Sequence, residues 1–226
     1  LHPSSGTFGF FEEPIKGWEG VMMSHYVPQF NNLDGRGYGV TLESAPGHPG
    51  LTAISFPWVD GLQHKELMSR YAYAANILII TRDQGSGQIT LEKDGQPRVK
   101  YQLAEIDKAH LLRGLVESVR IHHTAGARFI RTPVAKAGMF SRVNDDLETY
   151  IQHFERIGLR RYDYVLGSAH QMSSCRMGGS PAQGAISPVG ESFEVRGLYV
   201  TDGSALPTAT GVNPMLTIMS VAHRMA

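Results

Sequence analysis

Hydrophobic side chains between residues 104 and 127 recur at intervals that place them near one face of an α-helix. The members of this face are Ile106, Leu111, Leu115, Val119 and His122. Gly126 follows the last of them, and glycine favours the left-handed backbone conformation in which helices commonly end. The pattern therefore predicts a long amphipathic helix that ends near Gly126.

Two shorter segments also have helical spacing. In "HKELMSRYAYAAN", the apolar side chains of Leu67, Tyr71 and Ala74 are spaced as on one helix face. The segment "NDDLETYIQHFERIG" predicts a further helix, with Asn144 as its N-cap and Gly158 at its C-terminal end.

Short apolar runs bounded by glycine and proline predict strands. Three of them precede residue 60, in "GVMMSHYVPQF", "YGVTLESAP" and "LTAISFPW". The runs "NILIITRD" and "ARFIRTP" predict two more strands. In "GQITLEKDGQPRVKYQL", two alternating segments flank Asp94 and Gly95, a pair that readily forms a tight hairpin turn.

The pattern changes near residue 165, which divides the chain into two predicted domains, 1–165 and 166–226. Strands, a hairpin and covering helices in the first predict an α+β layer fold with a mixed sheet. The second is richer in glycine and reads as a strand in "GLYVTD", an irregular loop and a terminal helix. We expect that helix to begin at Asn213 and Pro214, because asparagine suits the N-cap and proline the first turn.

Composition excludes several classes of function. The 226 residues contain 42% hydrophobic and 19% charged residues, and 21 basic side chains balance 21 acidic ones. This balance gives no electrostatic reason to expect a nucleic acid or an anionic membrane as partner. Cys175 is the single cysteine, which allows no internal disulfide and no cysteine-based zinc site, and it favours a reducing compartment. No apolar run is long enough for a transmembrane helix, and the first residues lack the features of a signal peptide.

Candidate chemistry is concentrated in the last third of the chain. His170 adjoins a loop of small residues, "HQMSSCRMGG", and an imidazole can accept or share a proton near neutral pH. Asp202 and Gly203 end the predicted strand, where a glycine backbone allows close approach of a ligand. Asn213 opens a helix whose N-terminus favours negative charge. Each feature also has a structural explanation, because histidines are often surface residues and asparagines often cap helices. The patterns of zinc peptidases, α/β-hydrolases and P-loop nucleotide hydrolases are absent.

Taken together, these features are far more specific. The segments "GSAHQMSSCRMG" and "GESFEVRGLYVTDGSALPTATGVNPMLTIMSVAHRMA" resemble the C-terminal signature of the glucose–methanol–choline (GMC) oxidoreductases, flavoenzymes that oxidise alcohols. The opening "LHP" and "FEEPIKGWEGVMMSHY" are most similar to the long-chain fatty alcohol oxidase and dehydrogenase branch. The resemblance implies a substrate-binding domain in 1–165, with its first residues leading out of the FAD domain. Residues 166–226 are then the closing strand and helix of an incomplete, Rossmann-like FAD-binding domain that carries the active site.

The resemblance also assigns roles to individual residues. His170 matches the family's active-site histidine and Asn213 its second active-site position. Asp202, Gly203 and Ser204 match the segment that passes along the flavin's ribityl and pyrophosphate groups. Asn213, Pro214 and Met215 match the helix start beneath the flavin ring. The implied reaction is hydride transfer from an alcohol carbon to flavin N5, with His170 accepting or polarising the hydroxyl proton.

One departure from the family is the absence of its glycine-rich GxGxxG strand–turn–helix, which binds the ADP part of FAD. We therefore expect the chain to be the C-terminal fragment of a longer enzyme, lacking its N-terminal FAD-binding half, and by itself to bind FAD poorly and turn over nothing. The resemblance to the long-chain fatty alcohol branch implies a long-chain or hydrophobic primary alcohol as substrate, and apolar side chains near the start of the chain favour it slightly. These are Phe8, Phe10, Phe11, Trp18, Met22 and Met23, which could equally belong to the core. The alternatives are a GMC enzyme for a sugar, a choline-like compound or a sterol, and a non-enzymatic α+β module without its cofactor.

Overall fold

Residues 1–226 are described by a computed structural model and divide into two units. The sheet unit consists of 4–81 and 108–167, and the loop unit consists of 1–3, 82–107 and 168–226. The C-terminal segment thus begins within a few residues of the expected boundary. Residues 1–3 and 82–107, which we expected in the first domain, group with it instead.

Eight strands and five α-helices make up the regular structure. The strands are β1 Ser4–Phe10, β2 Tyr26–Val27, β3 Val40–Ser44, β4 Ala74–Thr81, β5 Gln88–Leu91, β6 Pro97–Lys100, β7 Phe129–Arg131 and β8 Met139–Ser141. The helices are α1 Pro49–Thr52, α2 Gly61–Ser69, α3 Glu105–Thr124, α4 Leu147–Ile157 and α5 Met215–Met225. None of the helices combines the length and the hydrophobicity needed to cross a membrane.

The sheet unit contains one six-stranded sheet in the order β2-β3-β4-β1-β7-β8. The predicted α+β class is confirmed, but the sheet is antiparallel in every pairing rather than mixed. The helix-containing connection from β3 to β4 returns the chain antiparallel beside β3. Strand direction depends on this tertiary pairing, which local spacing does not encode.

The predicted long helix is confirmed as α3, and its apolar face packs on the sheet. Leu111, Leu115 and Val119 are fully buried, and burying such a side chain contributes roughly 1.5–3 kcal/mol. A Cβ atom at Gly114 would lie 2.7 Å from Cγ2 of Ile79 in β4. The glycine therefore allows α3 to approach β4 closely.

Several predicted elements differ in the structure. The segment "LTAISFPW" is not a strand, because Leu51 and Thr52 belong to α1 and 53–55 form a 3₁₀ turn. Proline in the first turn and a His48 side chain that accepts from Gly50 N favour the helical start. The segment "GVMMSHYVPQF" contributes only the two residues of β2. The predicted closing strand in "GLYVTD" is also wrong, since Tyr199 forms only an isolated bridge with Glu191 and a strand requires a continuous partner.

The predicted hairpin is confirmed in the loop unit, where β5 and β6 flank a turn with Gly95 at φ +81°. In the sheet unit, α4 is confirmed, but its N-cap is Asp146 rather than Asn144. The Asp146 carboxylate accepts a 2.8 Å hydrogen bond from Thr149 N, so the helix begins two residues later than expected.

Gly158 ends α4 as predicted, with φ 65° and ψ −168°, a conformation essentially confined to glycine. We expect Gly158→Ala to lower the free energy of unfolding by about 1–3 kcal/mol, because the added Cβ is strained there. Gly61→Ala is the matched control, since a Cβ at this first residue of α2 meets no atom within 4 Å. Urea denaturation of both variants measures the difference, and equal stabilities would contradict the prediction.

Candidate functional site

His170 lies beside a second histidine that is distant in sequence. His170 is half-buried and His2 is only 1% exposed. Their Nδ1 atoms are 3.0 Å apart although 168 positions separate the residues. The two rings are nearly perpendicular, with centroids 5.1 Å apart. One nitrogen must donate to the other, so the rings form a hydrogen-bonded pair.

The second nitrogen of His2 connects this pair to the segment that precedes α5. The backbone N–H of Gly211 donates a 2.9 Å hydrogen bond to Nε2 of His2. Asn213 follows Gly211 by two residues. Two hydrogen bonds therefore link His170, through His2, to the segment that carries Asn213, while the direct pairing of His170 with Asn213 stays a prediction.

Backbone hydrogen bonds hold the loop after His170 against the turn at 203–205. The N–H of Cys175 donates to Ser204 O at 3.1 Å, and that of Met177 donates to Ala205 O at 2.9 Å. A Cβ at Gly203 would lie 3.0 Å from Gln171 O. Glycine at 203 therefore favours the close approach of this turn to the His170 loop.

A small hydrophobic cluster supports these loops within the loop unit. It consists of Met172, Leu206 and Ala209, with Ile218 and Val221 of α5 packed against it. One side of α5 thereby anchors the loops, whereas Leu216 on the same helix is 69% exposed. The helix thus fixes the loops by one face only.

The start of α5 differs from the predicted one by one position. Pro214, not Asn213, is the N-cap residue, and a proline side chain makes no capping hydrogen bond. The first intrahelical bond runs from Ile218 N to Pro214 O, so the helix begins at Met215. A helix N-terminus carries about half a positive elementary charge. This end of α5 can therefore stabilise an anionic group.

Burial sets the protonation of both histidines. It lowers the pKa of His2 to about 3, with a further contribution from the neighbouring His170. Burial also lowers the pKa of His170 from its usual value. Both imidazoles are therefore neutral near neutral pH, and each carries one ring proton.

Asp202 is a carboxylate in the predicted cofactor segment 202–204. Its side chain caps the 203–205 turn by accepting from Ser204 N at 2.7 Å. Hydrogen bonds from the Ser204 hydroxyl and N–H lower the pKa of Asp202. The carboxylate is exposed, whereas Gly203 is buried.

All the predicted site residues lie in the loop unit. The predicted cofactor residues form two runs of consecutive positions, 202–204 and 213–215. His170 is linked through His2 to Gly211, two residues before the second run. Sequence reasoning missed His2, because its only signal was the short "LHP" motif. A contact across 168 positions has no local pattern that would identify it.

Two of the apolar side chains considered for a hydrophobic substrate belong to the core. Phe8 and Phe10 are buried in a cluster with Phe56 and Tyr71 of the sheet unit. Met22, in contrast, is 71% exposed. The aromatic residues of β1 therefore give no support for the substrate.

Comparisons with known proteins agree with the resemblance in the C-terminal motifs. A family model described as GMC oxidoreductase matches residues 83–222. The chain is 38% identical over 238 residues to the long-chain-alcohol oxidase FAO3 of Arabidopsis thaliana, covering 99% of this chain and 31% of that protein. It is 34% identical over 237 residues to FAO1 of the same plant, covering 99% and 30%. The chain thus spans under a third of the length of these curated relatives.

Solved structures share the fold. The structure of pyridoxine 4-oxidase from Mesorbium loti has a TM-score of 0.61 at 15% identity, covering 99% of this chain and 41% of that one. A variant of formate oxidase from Aspergillus oryzae RIB40 has a TM-score of 0.59 at 11% identity, covering 99% and 45%.

Proposed function

Because this chain belongs to the GMC oxidoreductase family, we propose that it forms the active-site part of an FAD-dependent enzyme that oxidises a primary alcohol to an aldehyde. The observation that supports the proposal is the half-buried His170, which is hydrogen-bonded to His2 and through it to Gly211, shortly before the start of α5. The similarity to long-chain-alcohol oxidases supports a long-chain or hydrophobic alcohol as substrate.

The loop unit fits part of a bound flavin. GMC oxidoreductases are FAD-dependent flavoproteins, and FAD when bound supplies the acceptor that takes a hydride at N5. The N–H groups of Met215 and its successors at the start of α5 suit an electron-rich ring that gains negative charge. Asp202, Gly203 and Ser204 form a close backbone turn at the ribityl and pyrophosphate end, where the exposed Asp202 carboxylate can accept from ribityl hydroxyls. Asn213 and Pro214 complete the proposed contacts at the helix start.

Two protein side chains interact with the alcohol oxygen in the proposed reaction. Conversion of RCH₂OH to RCHO releases one hydride from carbon and one proton from oxygen. His170 polarises the O–H bond or accepts its proton, and the Asn213 amide donates a hydrogen bond to the same oxygen. An amide has no proton-accepting capacity near neutral pH, so only His170 can manage the proton.

The test is turnover by a longer protein that also carries the dinucleotide-binding half. Primary alcohols of increasing chain length are compared in the presence of oxygen and of an artificial electron acceptor. We expect kcat/KM to rise with chain length and aldehyde to accumulate. Glucose, choline and a sterol serve as comparison substrates, and preference for one of them would favour the alternative GMC specificity. Stoichiometric FAD without turnover on any alcohol would contradict the proposal.

The 226-residue chain alone provides a second measurement. We expect it to bind FAD weakly, since the sequence lacks the glycine-rich motif that holds the ADP part. Purification of the isolated chain with one tightly bound flavin would contradict this expectation.

A further inference from the structure

The contact between His2 and His170 has a direction that the structure determines. Two neutral imidazoles whose Nδ1 atoms are 3.0 Å apart share one hydrogen bond, so one Nδ1 carries a proton and the other does not. Which ring donates depends on the hydrogen bond made by its other nitrogen.

The hydrogen bond from Gly211 determines which nitrogen of His2 carries the proton. A backbone N–H can only donate, and that of Gly211 lies 2.9 Å from Nε2 of His2. Nε2 must therefore offer a lone pair. Since His2 is buried and neutral, its single proton is on Nδ1, which faces His170.

We infer that His2 is a positioning residue that donates from Nδ1 to Nδ1 of His170 and thereby fixes the proton of His170 on Nε2. The ring of His170 then presents an N–H donor from Nε2. Protonation of His170 would have to occur at Nδ1, the atom occupied by the hydrogen bond from His2. In the resting tautomer, His170 therefore polarises a bound oxygen by donating to it from Nε2. Acceptance of the alcohol proton at Nε2 then requires that the Nε2 proton is first released to solvent.

The inference rests on the proposed function only in naming that oxygen as the alcohol oxygen. Of the two roles open to His170, polarising and accepting, it selects polarising for the resting enzyme. The tautomer itself needs neither substrate nor cofactor. It can therefore be tested separately from turnover.

Nitrogen-15 NMR of the histidine rings in the 226-residue chain measures both tautomers directly. His2→Gln and His170→Gln identify the two sets of resonances. We expect His2 with its proton on Nδ1 and His170 with its proton on Nε2. A proton on Nε2 of His2, or on Nδ1 of His170, in the unsubstituted chain overturns the inference, and this result requires no variant to fold.

Two variants of His2 test its contact with His170 and its contact with Gly211 one at a time. Asparagine places an amide N–H₂ near the position of Nδ1, so His2→Asn should keep His170 in the Nε2–H form. Glutamine reaches the position of Nε2 and can accept from Gly211, so His2→Gln should release His170 to a mixture of tautomers. An unchanged His170 tautomer in both variants, with native amide dispersion, contradicts a positioning role. Absence of alcohol turnover by the longer unsubstituted protein, with these tautomers intact, would instead count against the proposed function.

Discussion

Replacement of His170 by alanine in a longer protein that carries the dinucleotide-binding half should lower kcat/KM for a primary alcohol by about 10²–10⁴-fold. The loss is expected because a positioned proton donor or acceptor contributes about that much, and Asn213 cannot take over the role. Steady-state kinetics with a long-chain alcohol measures the effect. Flavin absorbance of the purified variant shows whether the cofactor is still bound.

His25→Ala is the matched control, since His25 is exposed and belongs to the sheet unit rather than the loop unit. We expect it to retain the activity of the unsubstituted enzyme. His170→Gln adds a finer comparison, because its amide keeps an N–H donor near the position of Nε2. It should retain more activity than His170→Ala if polarisation is the main role. Turnover of His170→Ala close to that of the control would remove His170 from the chemistry.

Acidification should destabilise the sheet unit through His122. This histidine of α3 is 2% exposed, and burial lowers its pKa from 6.5 to about 4. Below pH 6.5 the unfolded chain binds a proton at this residue, whereas the folded chain stays neutral until the pH reaches about 4. The free energy of unfolding is therefore unaffected above pH 6.5 and falls by about 3 kcal/mol as the pH decreases to about 4.

His122→Phe isolates this contribution because it removes the titrating group and keeps an aromatic ring. Chemical denaturation of both proteins at pH values spanning the window gives two curves of stability against pH. We expect the variant to lose about 3 kcal/mol less than the unsubstituted chain over the same interval. Other groups, including His2, titrate equally in both proteins and cancel in the difference. Parallel curves would show that His122 does not carry the acid sensitivity.

Local physical chemistry explains why some elements were predictable. The apolar face of α3, the Asp94–Gly95 turn and the glycine at the end of α4 each depend on neighbouring residues only. Helix periodicity and positive-φ turns are recorded within a few residues of sequence. These signals were sufficient for the α+β class and for the position of α3, α4 and the hairpin.

β1 shows why other elements were not predictable. Its sequence "SSGTFGF" is rich in serine and glycine, which are typical of loops. A Cβ at Gly9 would lie 2.5 Å from Nδ1 of His122, so glycine is required for close approach of α3 rather than for a turn. Glycine thus serves a turn at some positions and close packing at others. Only the packed structure distinguishes these two roles.

The sequence by itself determined the family, through ordered motifs around His170 and Asn213, and it determined the helices and turns that depend on adjacent residues. The tertiary structure alone decided the strand directions and the partner of His170, because pairing between distant segments is selected by packing and burial. His2 becomes buried, neutral and hydrogen-bonded on both nitrogens only when residues 1–3 meet the loops at 170 and 211. No local spacing encodes that meeting.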